Sequence, residues 1–135
     1  MSEVMIERRR RKKRKLMILD NRVVFRKRVE HSFELPPEIA EWAKTHIELL
    51  DWLIFDSAIA SSLRHPHSIR TLIYLLYARA NGIPIAQMAK TIDVAHEQLY
   101  RLERLLIRAG IKDAVYKMLK PIPQQGSQTE SPQTS

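Results

Sequence analysis

The 135-residue chain carries 23 Lys and Arg against 15 Asp and Glu, a net charge of +8 with a pI near 10.0, and 44% of its residues are hydrophobic. That suits one domain with a packed core and a polyanionic partner, while the lack of cysteine excludes disulfides and thiolate metal sites and makes a reducing cytosol the default. No apolar run reaches the roughly 20 residues of a membrane span, and LMIL, after the basic N-region, is too short for a signal-peptide core.

The charge is unevenly placed: residues 1–30 hold twelve bases and four acids, 31–63 one and six, 64–120 ten and four. Arg8, Arg9, Arg10, Arg11, Lys12, Lys13, Arg14 and Lys15 form an unbroken basic run without apolar periodicity, which repels itself and reads as a disordered arm. Such an arm fits nucleic-acid phosphates; a nuclear-import signal, attraction to anionic lipid and a solubilising tail are the competing readings. Leu16 to Glu30 is β-branched and aromatic, and Asp20-Asn21 can supply a tight turn, so a short β-hairpin is expected. In its second strand Val23 and Phe25 share one face while Arg22, Val24, Arg26 and Arg28 share the other, a basic side able to follow a phosphate backbone or simply a solvated edge. Val29 to Trp42 has a faint likeness to the opening of ribbon-helix-helix proteins, a strand followed by LPPE and a helix, without the Gly-Ser turn of that motif's second half.

Pro36 and Pro37 suit a helix start, and Glu38 and Glu41 favour its positive end. Ile39, Trp42, Ala43, Ile47, Leu50, Leu53, Ile54 and Ala58 form a stripe at the helical period, predicting one helix over 37–63. At 1.5 Å per residue it would be about 39 Å long, with Trp52 and Phe55 off the stripe. A second copy of the chain is the expected cover, giving a homodimer through helix 37–63; a bend near Asp56 is the alternative. Glu41, Glu48 and Asp51 read as a solvated face or a partner for the arm. Leu63 to Ser68 breaks the helix, Ile69 to Ala80 starts the next with Ile69, Leu72, Ile73 and Leu76 inward, and Asn81-Gly82 closes it.

Ile85 to Arg104, IAQMAKTIDVAHEQLYRLER, reads as two short helices and a tight turn, with Met88, Ala89, Ile92, Val94, Leu99 and Leu102 inward and His96, Glu97, Tyr100, Arg101 and Arg104 outward. Arg101, Arg104 and Arg108 recur along one side of the second helix. This pattern resembles a helix-turn-helix, and with LRHPHSIRTLIYLLYARANG before it and LERLLIRAG after it the stretch is similar to ArsR-type and MarR-type winged-helix regulators. Asp93 stands where the turn usually carries Gly; it tolerates the left-handed conformation. The resemblance implies a mainly α fold with a three-helix core, and double-stranded DNA as partner, RNA being the variant. His96, Tyr100, Arg101 and Arg104 would lie in the major groove with the basic arm on phosphates. Ile111 to Lys120 has no glycine for a wing, so the wing is expected to be reduced or absent. Asp113 is expected to cap a short helix burying Val115, Met118 and Leu119, with a single strand as the alternative.

The organisation expected is thus a basic arm with a hairpin over 1–30, a helical domain over 31–120 and a polar, Pro-bearing disordered tail over 121–135. An enzyme is not expected. His96-Glu97-Gln98-Leu99-Tyr100 begins like the zinc-protease motif HExxH but has Tyr100 for the second histidine, and three glycines cannot build a phosphate-cradling loop. His65 and His67 suit capping or phosphate contact. Neither cofactor nor metal is read. The expectation is a cytoplasmic, nucleoid-associated transcription regulator, nuclear in a eukaryote. A structural nucleic-acid protein or an adaptor docking on a protein such as RNA polymerase are the other classes.

Overall fold

The computed structural model describes residues 15–25 and 28–122. It is mainly helical, with one small antiparallel sheet of order β1-β2-β3 at its N-terminal side. Strand β1 (Leu16–Leu19) and β2 (Arg22–Phe25) form the expected hairpin, pairing Leu16 with Phe25 and Leu19 with Arg22. Its two-residue turn works because Asp20 accepts a φ of 59°. Leu16 and Val23 are buried and Leu19 is exposed, the alternation a one-sided sheet requires. A third strand, β3 (Arg28–Glu34), pairs with β2 through a register irregularity and was not expected from its polar sequence. On the expected basic face of the hairpin, Arg22 is paired with Glu34 of β3 at 3.1 Å, while Arg26 lies outside the described residues.

The single helix expected over 37–63 is absent. Instead α1 (Pro37–Thr45) stops at His46, α2 (Ile47–Phe55) restarts there, and a 3₁₀ turn (Ala60–Ser62) leads on. The Trp42 carbonyl, which a continuing helix would use, is held by the Thr45 hydroxyl at 2.7 Å and by His46 Nδ1 at 3.0 Å. His46 Nε2 accepts the backbone N–H of Lys120, so Nδ1 carries the ring proton. Trp42 stacks on His46 and donates its indole N–H to the Lys120 carbonyl at 2.6 Å, and Ile122 N–H bonds Asn81 Oδ1. The break at 46 therefore clasps the end of the described chain. With the helix divided, Trp52 and Phe55 pack half-buried on the chain's own core and Leu53 is wholly enclosed. The premise for a dimer through 37–63, apolar residues that only a second copy could cover, is removed.

Helix α3 (Pro66–Asn81) is the axis of the core. Pro66 occupies its first turn, where a missing N–H costs nothing, and Gly82 ends it in the left-handed region. Every residue from Thr71 to Ala78 is buried, so this helix is enclosed all round rather than along one stripe. Helices α1, α4 (Ile85–Ile92), α5 (His96–Arg108) and α6 (Lys112–Met118) and strand β3 pack on it. In α6, Val115 is buried as expected, but Met118 is 47% exposed and Asp113 lies inside the first turn with no capping bond. Among the described residues no strand follows α5, and no helix is long and apolar enough to cross a membrane. The tail from residue 123 on lies outside the described residues.

Candidate nucleic-acid interface

The connection between α4 and α5 is built from backbone chemistry at Asp93. Its φ of 59° and ψ of 50° put it in the left-handed region; Asp93 N–H returns to the Lys90 carbonyl and Val94 N–H to the Ala89 carbonyl at 3.0 Å. This is the paired closure of a Schellman motif, with aspartate in the position glycine usually takes. Met88, Ala89, Ile92, Leu99 and Leu102 are buried and Val94 is half-buried, so all six residues expected inward are inward. Three residues separate two helices that both pack on α3.

Helix α5 is fixed by a polar network that sequence reasoning missed. Glu103 receives Arg79 of α3 through both carboxylate oxygens at 3.0 Å, and the Tyr116 hydroxyl of α6 at 2.6 Å. Burial pushes the Glu103 carboxyl up, but the bonds from Arg79 and Tyr116 and the charges of Arg79 and Lys112 outweigh it and hold it below its ordinary value. Arg79 rises in return, chiefly through its bond to Glu103. Burial, then Glu103, raises Tyr116. The one signal available in the sequence was an acid set between two arginines, Arg101-Leu102-Glu103-Arg104, on a mainly basic helix.

With Leu99, Leu102 and Leu106 buried against the core, the opposite face of α5 is exposed. At about 100° per residue, Tyr100, Arg101, Arg104 and Arg108 fall within an arc of about 100°. Glu97 shares that arc near the helix start. His96 meets Tyr100 edge to face at 6.0 Å between centroids, and Tyr100 remains 39% exposed. His96, Tyr100, Arg101 and Arg104, the four helix residues expected to act together, are thus on one exposed helix.

Arg101 stands at the edge of that face. There a cavity of about 90 Å³ opens between α3 and α5, its polar lining Ser62, His67, Ser68, Thr71, Gln98 and Arg101 and its apolar wall Leu102 and Leu105. His67 Nε2 meets Gln98 Oε1 at 2.9 Å, bridging the two helices. His65, expected to cap or to contact phosphate, sits at the N-cap position of α3 without a side-chain capping bond.

The basic run is only partly in view, since Arg8 to Arg14 lie outside the described residues. Lys15 is its root rather than a free contact. The backbone N–H groups of Lys15 and Leu16 both bond Asp51 Oδ1, at 3.1 and 3.0 Å, and the Lys15 ammonium lies 5.5 Å from the centre of the Phe55 ring. Of the two readings of Asp51, the solvated face is corrected, since Asp51 is 2% exposed, while its partner is the root of the arm, met through backbone N–H groups rather than side-chain charge. Among the described residues no group of three His, Asp or Glu is placed to hold a metal ion. No family model, curated protein or solved structure matches the chain.

Proposed function

We propose that the chain is a helix-turn-helix DNA-binding protein of the kind that regulates transcription. Helix α5 enters the major groove and the basic run Arg8–Arg14 adds attraction to phosphates. The observation that carries this reading is the outward face of α5, where Tyr100, Arg101, Arg104 and Arg108 are all exposed on a helix whose other side is packed on α3 and locked by Glu103. Thirteen residues make a rod of about 20 Å, and the major groove, about 12 Å wide, admits such a rod. Arginine is the side chain best suited to guanine edges, a carboxylate such as Glu97 can accept from cytosine, and the His96–Tyr100 pair offers apolar contact at the helix start. The left-handed turn at Asp93 sets the angle at which α5 leaves α4 and so which of its residues lead.

Selection of bound sequences from a random duplex pool tests the reading. Enrichment of a defined sequence, with Arg104→Ala costing about 1–3 kcal/mol on it and much less on unrelated duplex, is the expected result. Deleting residues 1–14 should lower the salt slope while leaving the preference intact, because phosphate contacts carry affinity and base edges carry choice. If no sequence is enriched and binding disappears with the arm alone, a structural nucleic-acid protein replaces the regulator.

A further inference from the structure

The cavity beside Arg101 has the chemistry of an anion site. Its polar lining consists of a guanidinium, an imidazole, three hydroxyls and an amide, and no carboxylate is among the residues that form it. A cation has no ligand set there: one histidine lines the cavity. At about 90 Å³ the space is small beside the roughly 300–1,000 Å³ of small-molecule pockets, which favours a small group over a large metabolite. A tetrahedral oxyanion suits the donors left over: the Thr71 hydroxyl is spent on the His67 carbonyl and His67 Nε2–H on Gln98 Oε1, which leaves the Arg101 guanidinium, the Ser62 and Ser68 hydroxyls and the Gln98 amide NH2.

The donors also converge from separate elements. Ser62 comes from the 3₁₀ turn, His67 and Ser68 from the first turn of α3, and Gln98 and Arg101 from α5. Pro66 has no N–H, and the N–H groups of His67 and Ser68 lie before the first intrahelical bonds, with no capping side chain from His65. His67 is held by Gln98, and the Thr71 hydroxyl is occupied by the His67 carbonyl at 2.8 Å, so His67 is fixed from both sides. On α5, Gln98, Arg101 and Leu105 share the flank that lines the cavity, and Arg101 is turned about 60° from Arg104 toward it.

We propose that this cavity is a cradle for a single phosphate group. On the DNA-binding reading, on which this part rests, its occupant is one backbone phosphate flanking the groove that α5 enters. Arg101 is then a phosphate contact, and the reading of bases falls to Arg104 and its neighbours on the centre of the face.

Two arms of one experiment on the full chain test this. In the first, inorganic phosphate is titrated against the amide spectrum: the His67 and Ser68 amides and the Arg101 side-chain N–H should move together and saturate, and Arg101→Gln should abolish the saturation. In the second, wild type, Arg101→Gln and Arg104→Ala are measured against a duplex selected from a random pool and against its shuffled control. Arg101→Gln should weaken both duplexes by the same factor, about tenfold, and lower the salt slope by about 0.9. Arg104→Ala should narrow the difference between them. A single methylphosphonate at the cradled position should weaken wild type yet leave Arg101→Gln no weaker than before. Amides that stay still in phosphate, or an Arg101→Gln that changes sequence preference with an unchanged salt slope, overturn the cradle while leaving DNA binding intact. Saturable phosphate binding with no effect of any α5 substitution on either duplex keeps the cradle and removes the DNA reading.

Discussion

Replacing Glu103 by glutamine asks what holds α5 in place. The carboxylate accepts three hydrogen bonds from two other helices, and its side chain is 13% exposed against 33% for Arg79. An exposed ion pair contributes under about 1 kcal/mol, but charge-assisted bonds on a shielded carboxylate contribute more, together about 2–3 kcal/mol. Glutamine keeps one acceptor and loses the charge, so Glu103→Gln should lower the unfolding free energy by about 1–2 kcal/mol at neutral pH. Its pH dependence has a definite sign. The folded carboxyl is held below its ordinary value, so on acidification the unfolded chain takes up this proton first, near a pKa of about 4.3. The stabilisation is complete above that value and is lost as pH falls through the folded one. Urea melts of both proteins at pH 7 and pH 3 should therefore show wild type losing more than the variant. A double-mutant cycle with Arg79→Met should return a coupling above about 0.5 kcal/mol. Equal stabilities at pH 7 with no coupling would refute the network as a support for α5.

Substitutions at three further positions probe the frame around that helix. Leu53→Ala should destabilise by about 2–5 kcal/mol in a urea melt, because Leu53 is enclosed in the core, and Leu53→Asp should unfold the chain rather than release a folded monomer. His46→Phe keeps an aromatic ring against Trp42 but removes the acceptor for Lys120 N–H, so hydrogen exchange at Lys120 should accelerate about tenfold, as loss of a bond contributing about 1–1.5 kcal/mol would give, with the helices of the core unaffected. Asp93→Val forces a β-branched side chain into the left-handed region and should cost at least about 1–2 kcal/mol, whereas Asp93→Gly should be neutral or slightly stabilising; thermal melts of the pair separate the two.

What the sequence made legible was local. Asn81-Gly82 closes α3, though the helix starts at Pro66, inside the expected break and three residues before Ile69; Asp20-Asn21 turns the hairpin, and the inward set from Met88 to Leu102 is a pattern that two short helices and a turn satisfy without distant help. The same locality explains the failures. A stripe from Ile39 to Ala58 reads as one helix because helical periodicity carries no mark of a pause; His46 interrupts it through a bond to Lys120, 74 positions away. Asp51 reads equally as a solvated acid or a partner for the arm; it meets the arm's root, but through backbone N–H groups 35 and 36 positions earlier, which charge pattern does not show. Strand β3 has a polar sequence, and its pairing comes from backbone groups of β2.

These misses share a cause that bears on the candidate site. Each is a polar group whose partner is fixed only by the tertiary fold, and each lies at a junction between elements: His46 between α1 and α2, Asp51 between α2 and β1, Glu103 between α5, α3 and α6. Burying such a group costs free energy unless its partner is in place, so the network favours one arrangement of the helices over its neighbours. The exposed residues of α5 were readable because nothing in the fold needs them, and it is the unread residues that give them a common direction. A face of four exposed side chains on a loosely held helix could follow many surfaces. Held by Glu103 from behind and started from a fixed turn at Asp93, the same face presents one spacing of charges, which is what the proposed binding to a regular polyanion requires.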